Sequence, residues 1–304
     1  MTVPIHQIGL AEVERIHRQM EKVREEVGFE GDLQAFFAYL DDDPRFYFEQ
    51  EEELLNGYRA LRETVHAAAH DLFARFPRAD YEIRPVEAFR AKSYSDAGYQ
   101  APSPDGSRPG VFHVNTYDLS ARPKWHMEST FLHEAVPGHH LQKALKYELE
   151  ELPRFRRFGA YTAFTEGWGL YAESLGKELG VYQDPYQYFG SLSAELWRAL
   201  RLVVDTGLHA KGWTREQVLD YMYAKTPVKE TGAVSEAERY IANPGQALAY
   251  KIGQLEIRAL RTRAEEALGD RFDVKAFHAQ VLEDGELPLD VLAAKIERWI
   301  EEQG

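Results

Sequence analysis

Thr130-Phe131-Leu132-His133-Glu134-Ala135-Val136-Pro137-Gly138-His139-His140-Leu141-Gln142 is the stretch that decides how this chain is read. In the HExxH pattern, two His four apart on a helix lie about 40° apart around its axis. Both can then share one Zn²⁺, and the Glu beside the first His holds the attacking water. Here the second His comes six positions after the first. An unbroken helix would turn it roughly 120° away, too far for a shared ion. Pro137 cannot donate a helical hydrogen bond and Gly138 relaxes the backbone, so the helix is predicted to be irregular from Val136 to Gly138. That irregularity would bring His139 back beside His133. His140 falls within about 20° of His133 even without a break, but roughly 10 Å along the axis. Zn–N bonds of about 2.0–2.1 Å cannot bridge that distance. His139 is therefore the expected second ligand, and His140 a neighbour that supports the site.

A third ligand is expected from a nearby helix. Thr162-Ala163-Phe164-Thr165-Glu166-Gly167-Trp168-Gly169-Leu170-Tyr171-Ala172-Glu173 supplies two acids seven apart on one helical face. Glu166 is read as the ligand. Glu173 is read as the group behind it that hydrogen-bonds a ligating His and fixes its tautomer. The set His133, His139 and Glu166 leaves one coordination position open, which is the composition of catalytic rather than structural zinc, one ion per chain. Glu134 is the expected general base. His66 and His70 are also four apart, but no carboxylate base adjoins them, so they read as a helix surface or interface. His113 and His126 flank the motif, and the sequence alone does not decide whether they approach it.

Outward from the motif, apolar residues recur at spacings of three and four from Gly9 to Val27. Asp32 is placed to cap a short helix carrying Phe36, Phe37 and Leu40. A long helix is predicted from Phe48 to Phe76, stopped by Pro77. Residues 80–120 alternate in the strand manner through YEIRPVEAF, AKSY and GVFHVNTY, with a Pro- and Gly-rich loop before the last. They predict a small antiparallel ribbon. Beyond Arg122 the pattern is helical again, with a helix beginning at Pro244-Gly245. The fold class is therefore mainly α: a helical, zincin-like catalytic domain with a small β ribbon before the metal-binding helix. No linker is evident, and residues 1–304 read as one domain.

Composition narrows the function. The chain has 36 Lys and Arg against 50 Asp and Glu, a formal charge of −14. Nucleic acid and anionic membrane both favour a basic face, so neither is expected as a partner. There is no Cys, so any metal must be held by His, Asp or Glu. No run approaches the roughly 20 apolar residues of a membrane helix. The N-terminus lacks a signal-peptide pattern. As given, the chain reads as cytoplasmic; it would be periplasmic or secreted if a native N-terminus is missing.

HEAVPGHHLQ, EGWGLYAE and RYIANPGQALAYKIGQ together resemble the bacterial family called domain of unknown function 885, over essentially the whole chain. Through that family the chain is similar to helical zinc peptidases of the thimet-oligopeptidase and angiotensin-converting-enzyme type. The resemblance implies a peptide substrate, with Tyr240 or Tyr250 donating to the oxyanion and Arg239 or Lys251 holding the substrate carboxylate. Family members usually carry a further helical region before the point where this chain starts. A homo-oligomer or a missing N-terminal partner region is therefore expected to close the cleft, the alternative being that the helices at 9–76 fold across to replace the missing wall. Two other functions remain open on the sequence: a metal-dependent amidohydrolase acting on a non-peptide amide, and an inactive peptide-binding fragment.

Overall fold

The computed structural model describes residues 2–303. It is mainly helical. The N-terminal helices are α1 (Thr2–Glu26), α2 (Leu33–Asp42) and α3 (Glu51–Ala69), followed after the first strand by the short α4 (Ala88–Ala91). The motif region holds α5 (Met127–Glu134), α6 (His139–Tyr147), α7 (Arg154–Phe158) and α8 (Thr162–Glu173). The remainder is α9 (Pro185–Lys211), α10 (Arg215–Lys225), α11 (Glu230–Ala242), α12 (Ala249–Leu268), α13 (Val274–Leu282) and α14 (Leu289–Gln303).

Local chemistry sets several of these boundaries. Asp32 caps α2 by accepting from the Ala35 N–H at 2.8 Å. α9 starts at Pro185 behind a capping box in which Asp184 and Gln187 exchange side-chain bonds. α1 begins ahead of the predicted Gly9, because Pro4 falls in its first turn, where a missing N–H costs nothing. α3 stops at Ala69, well short of Pro77; His70 and the turn after it fold the ring of His70 against Phe76.

The sheet corrects the predicted antiparallel ribbon. Strands β1 (Tyr81–Pro85), β2 (Ala97–Gln100) and β3 (Gly110–Val114) lie in the order β1-β3-β2. β1 runs parallel to β3, and β2 antiparallel to it. The segment AKSY closes α4 and its turn rather than forming a strand. The chain reverses through α4 and again through the loop at 101–109, so the third strand runs with the first. β3 is buried at every position, whereas β1 and β2 become exposed along their length. A strand buried on both faces belongs in the centre of a sheet.

Two apolar clusters fill the interior. The first joins α3, the sheet, α5, α8 and α12 through Phe112, Phe131, Leu132, Trp168, Tyr171 and Ile257. The second joins α1, α2, α9, α10 and α11 through Ile16, Phe36, Leu196, Met222 and Tyr240. Tyr188 packs against both. α8 and α12 cross closely at a pair of glycines: a Cβ on Gly253 would lie 1.9 Å from the Ala163 carbonyl oxygen and 2.7 Å from the Gly167 Cα. That crossing sets Glu166 and Tyr250, one on each helix, beside the motif. No described helix is long and apolar enough to cross a membrane.

Candidate metal centre

α5 ends at Glu134 and α6 begins at His139. Between them, Ala135 (φ −96°, ψ −125°) and Gly138 (φ −74°, ψ −127°) leave the helical region, so the helix is broken where its sequence predicts. The His140 N–H still donates to the Ala135 carbonyl at 3.1 Å, which ties the two halves together. Only glycine fits at 138, since a Cβ there would lie 2.0 Å from the His133 carbonyl oxygen. The break brings the His133 and His139 rings edge to face with centroids 4.7 Å apart.

Glu166 completes the group. Its Oε2 lies 3.4 Å from His133 Nε2 and 3.5 Å from His139 Nε2. All three donor atoms lie within 4.8 Å of one another. Two zinc–ligand bonds of about 2.0–2.1 Å at a tetrahedral angle span about 3.4 Å, so the spacing suits one small divalent ion. The neutral-N and carboxylate-O donor set suits the same ion.

The surroundings hold these donors in place. The His133 Nδ1–H donates to Glu173 Oε1 at 2.7 Å, which leaves the Nε2 lone pair for the cluster. The His133 ring also lies over Gly169, where a Cβ would come 2.6 Å from its Cε1. The Tyr182 O–H donates to the Glu173 carbonyl oxygen at 3.0 Å and fixes the end of α8. Burial works to depress the pKa of His133, but the Glu166 and Glu173 carboxylates outweigh it and raise it to about 9. Burial, helped by the charge of Lys143, lowers that of His139. Burial would raise the pKa of Glu166, yet hydrogen bonds from His133 and His139 hold it well below the usual carboxylate range. At neutral pH the cluster by itself therefore pairs a firmly ionised Glu166 carboxylate with a protonated His133 and a neutral His139, and a divalent ion would take the place of the His133 Nε2 proton.

Residues 3–296 match the family described as bacterial protein of unknown function, DUF885. The chain belongs to the DUF885 family. Among solved structures, the DUF885 chain superposes on a candidate lipoprotein of Colwellia psychrerythraea with a TM-score of 0.96 and 42% identity, over 99% of this chain and 53% of that one. It also shares the fold of a candidate lipoprotein of unknown function from Shewanella oneidensis, with a TM-score of 0.84 and 20% identity, over 96% of this chain and 56% of that one. It thus spans about half the length of each. No curated protein matches it.

Around the cluster of this DUF885 chain, Glu134 is half-buried, and among the described residues its carboxylate has no hydrogen-bond or ion-pair partner. Its charge acts on His133. Tyr250 stacks on His133 with ring centroids 6.4 Å apart and planes 25° apart. The Tyr250 hydroxyl also has no hydrogen-bond partner among the described residues. Other residues singled out from the sequence lie elsewhere. His140 turns to the sheet, where its Nδ1 meets Tyr99 Oη at 2.8 Å and its ring packs on Tyr81, so it does not brace the cluster. Tyr240 is fully buried and its hydroxyl is committed to Glu236 and Arg201, so it cannot serve as oxyanion donor. Lys251 is fully buried, with its ammonium bound by Glu12 and Glu195 at 2.8 and 2.6 Å. No substrate carboxylate can reach it. Arg239 is engaged with Glu236 and Gln246.

His66 meets the Tyr81 hydroxyl at the face of the sheet. His113 lies on β3 near Arg90 and Gln100, outside the three-donor group. His126 is half-buried at the start of α5 with its Nε2 enclosed, and burial of the ring pushes its pKa down to about 3. The reading of the sequence passed over Arg198 and Arg201 of α9. Arg198 Nη2 lies 3.9 Å from Glu173 Oε1, and the Arg201 guanidinium covers the Tyr250 ring. Their signal is present in LWRALRLVV, two arginines three apart inside an otherwise apolar helical run.

Proposed function

We propose that this chain is a zinc-dependent peptidase. One observation carries the reading: three metal-type donors converge, and His133 is flanked in sequence by the Glu134 carboxylate and stacked by the Tyr250 ring, neither of which has a hydrogen-bond partner among the described residues. A divalent ion held by His133, His139 and Glu166 would supply Lewis acidity to a peptide carbonyl and lower the pKa of a water. Glu134 would accept the proton of that water as its oxygen adds to the carbonyl carbon. The Tyr250 O–H would donate to the oxygen that gains negative charge. Glu134 would then pass its proton to the leaving amine as the C–N bond breaks, which leaves a free carboxylate and a free amine. Glu173 would keep the His133 ring in one tautomer and one orientation throughout. The lipoprotein description given to the Colwellia psychrerythraea relative supports a location in the cell envelope.

The test is cleavage of a mixed peptide library by protein freed of metal with a chelator and then reloaded with zinc. Cleavage that vanishes on chelation and returns with zinc supports the reading. A zinc-loaded protein that leaves every peptide intact overturns it.

A further inference from the structure

Tyr250 is backed by an unusually organised set of charges. The Arg201 guanidinium lies 4.7 Å from the centroid of the Tyr250 ring, and that of Arg198 lies 5.8 Å from it. Both arginines come from one face of α9, three residues apart. Arg201 is buried. Its Nε donates to the Tyr240 hydroxyl at 3.0 Å, and its Nη2 donates to Glu236 Oε2 at 3.0 Å. The Tyr240 O–H donates to the same carboxylate at 2.6 Å, and Arg239 clamps it from the outside. Two hydrogen bonds therefore fix the plane of the Arg201 guanidinium, and this plane meets the ring that also touches His133. Glu236 has two arginines to neutralise, so positive charge is left over behind Tyr250.

From this geometry we infer that Arg201 is a positioning residue: it holds the Tyr250 phenol at the metal cluster and polarises it for donation to a developing oxyanion. The inference rests on the peptidase reading. A buried cation over an aromatic face both restrains the ring and favours negative charge nearby. The donor is then already aimed before charge develops, which is the condition under which such donors contribute most. Tyr240 and Glu236 belong to the same device, because they fix the guanidinium in turn.

The test is a double-mutant cycle on Arg201→Met and Tyr250→Phe. It is read by kcat and KM for a cleaved peptide, and by the Kd of a phosphinic peptide that mimics the tetrahedral species. Arg201→Met removes the cation without stranding a buried charge, since Glu236 keeps Arg239 and Tyr240. Tyr250→Phe should lower kcat by about 10²-fold, the usual loss for one oxyanion donor. Arg201→Met should lower kcat about tenfold or more with KM little changed, and should weaken the phosphinic peptide in step. The double variant should be no worse than Tyr250→Phe alone, because the arginine acts only through the phenol. Arg201→Lys, which keeps the charge but loses the planar fork, should fall between wild type and Arg201→Met. Losses that add in the double variant would show a merely structural role and overturn the inference, as would full activity in Arg201→Met. A wild-type chain that binds zinc but neither cleaves peptides nor binds the phosphinic peptide would bring down the peptidase reading itself, and this inference with it.

Discussion

Glu134 and Glu128 lie on the same helix, and their environments give them different behaviour. Glu134 is half-buried, beside His133, with no hydrogen-bond partner among the described residues. Glu134→Gln keeps the shape of the site and removes the carboxylate that would take the proton of the attacking water. The variant should bind metal as wild type does and lose at least about 10²-fold in peptide turnover. Metal content and initial rates measured side by side would check this, and near-normal turnover would remove Glu134 from its role. Glu128 is buried, and its Oε2 has no hydrogen-bond partner. Burial pushes its carboxyl up to about 7, and the charge of Asp184 adds to the effect. The folded state therefore holds the proton more tightly than the unfolded chain, whose carboxyl titrates near 4.5. Stability contributed by this group is present below that value and is lost as pH rises towards about 7. Each pH unit in that window is worth about 1.4 kcal/mol. Denaturant unfolding should show Glu128→Gln gaining on wild type from pH 5 to pH 7 and holding a constant lead above it. A constant difference across the whole range would contradict the assignment.

At the scale of the element, the broken helix was legible because its cause is local. Pro137 and Gly138 announce the break, and the spacing from His133 to His139 makes sense only with it. Glu166 was legible because it shares a helical face with Glu173. The sheet was read less well. Alternation in residues 80–120 marks strands but carries no information on which strand lies centrally, and that was decided by how the chain reverses at α4. The choice between Tyr240 and Tyr250 was hidden for a similar reason: both lie near Pro244-Gly245, and only the packing of α11 against α9 shows that Tyr240 is enclosed. Packing also gives Gly169 a role that no pattern revealed. A methyl group at this position would press on the His133 ring at 2.6 Å. Gly169→Ala is therefore expected to leave the helical signal in circular dichroism intact and to weaken zinc affinity at least tenfold, by displacing a ligand whose supports are normally worth about 10–100-fold. Unchanged zinc affinity on titration calorimetry would show that the ring has room to move.

Across the whole molecule, the two apolar clusters are tied together by charge as well as by packing. Lys251 on α12 is bound by Glu12 on α1 and Glu195 on α9, and Arg15 binds both of those carboxylates. This buried group fixes α12, and with it Tyr250, against the N-terminal helices. Lys251→Met should therefore cost stability, about 3 kcal/mol for a broken buried pair, and lower the melting temperature by several degrees while leaving KM unchanged. An unchanged melting temperature with a raised KM would restore Lys251 as a substrate anchor. His133, His139 and Glu166 are together expected to hold one divalent metal ion. Elemental analysis of protein purified without chelator tests it most directly, with His139→Ala and Glu166→Ala prepared in parallel. Close to one equivalent of zinc or a similar divalent metal is expected per wild-type chain, and far less in either variant. No stoichiometric metal in the wild-type protein, or undiminished metal in both variants, would contradict it.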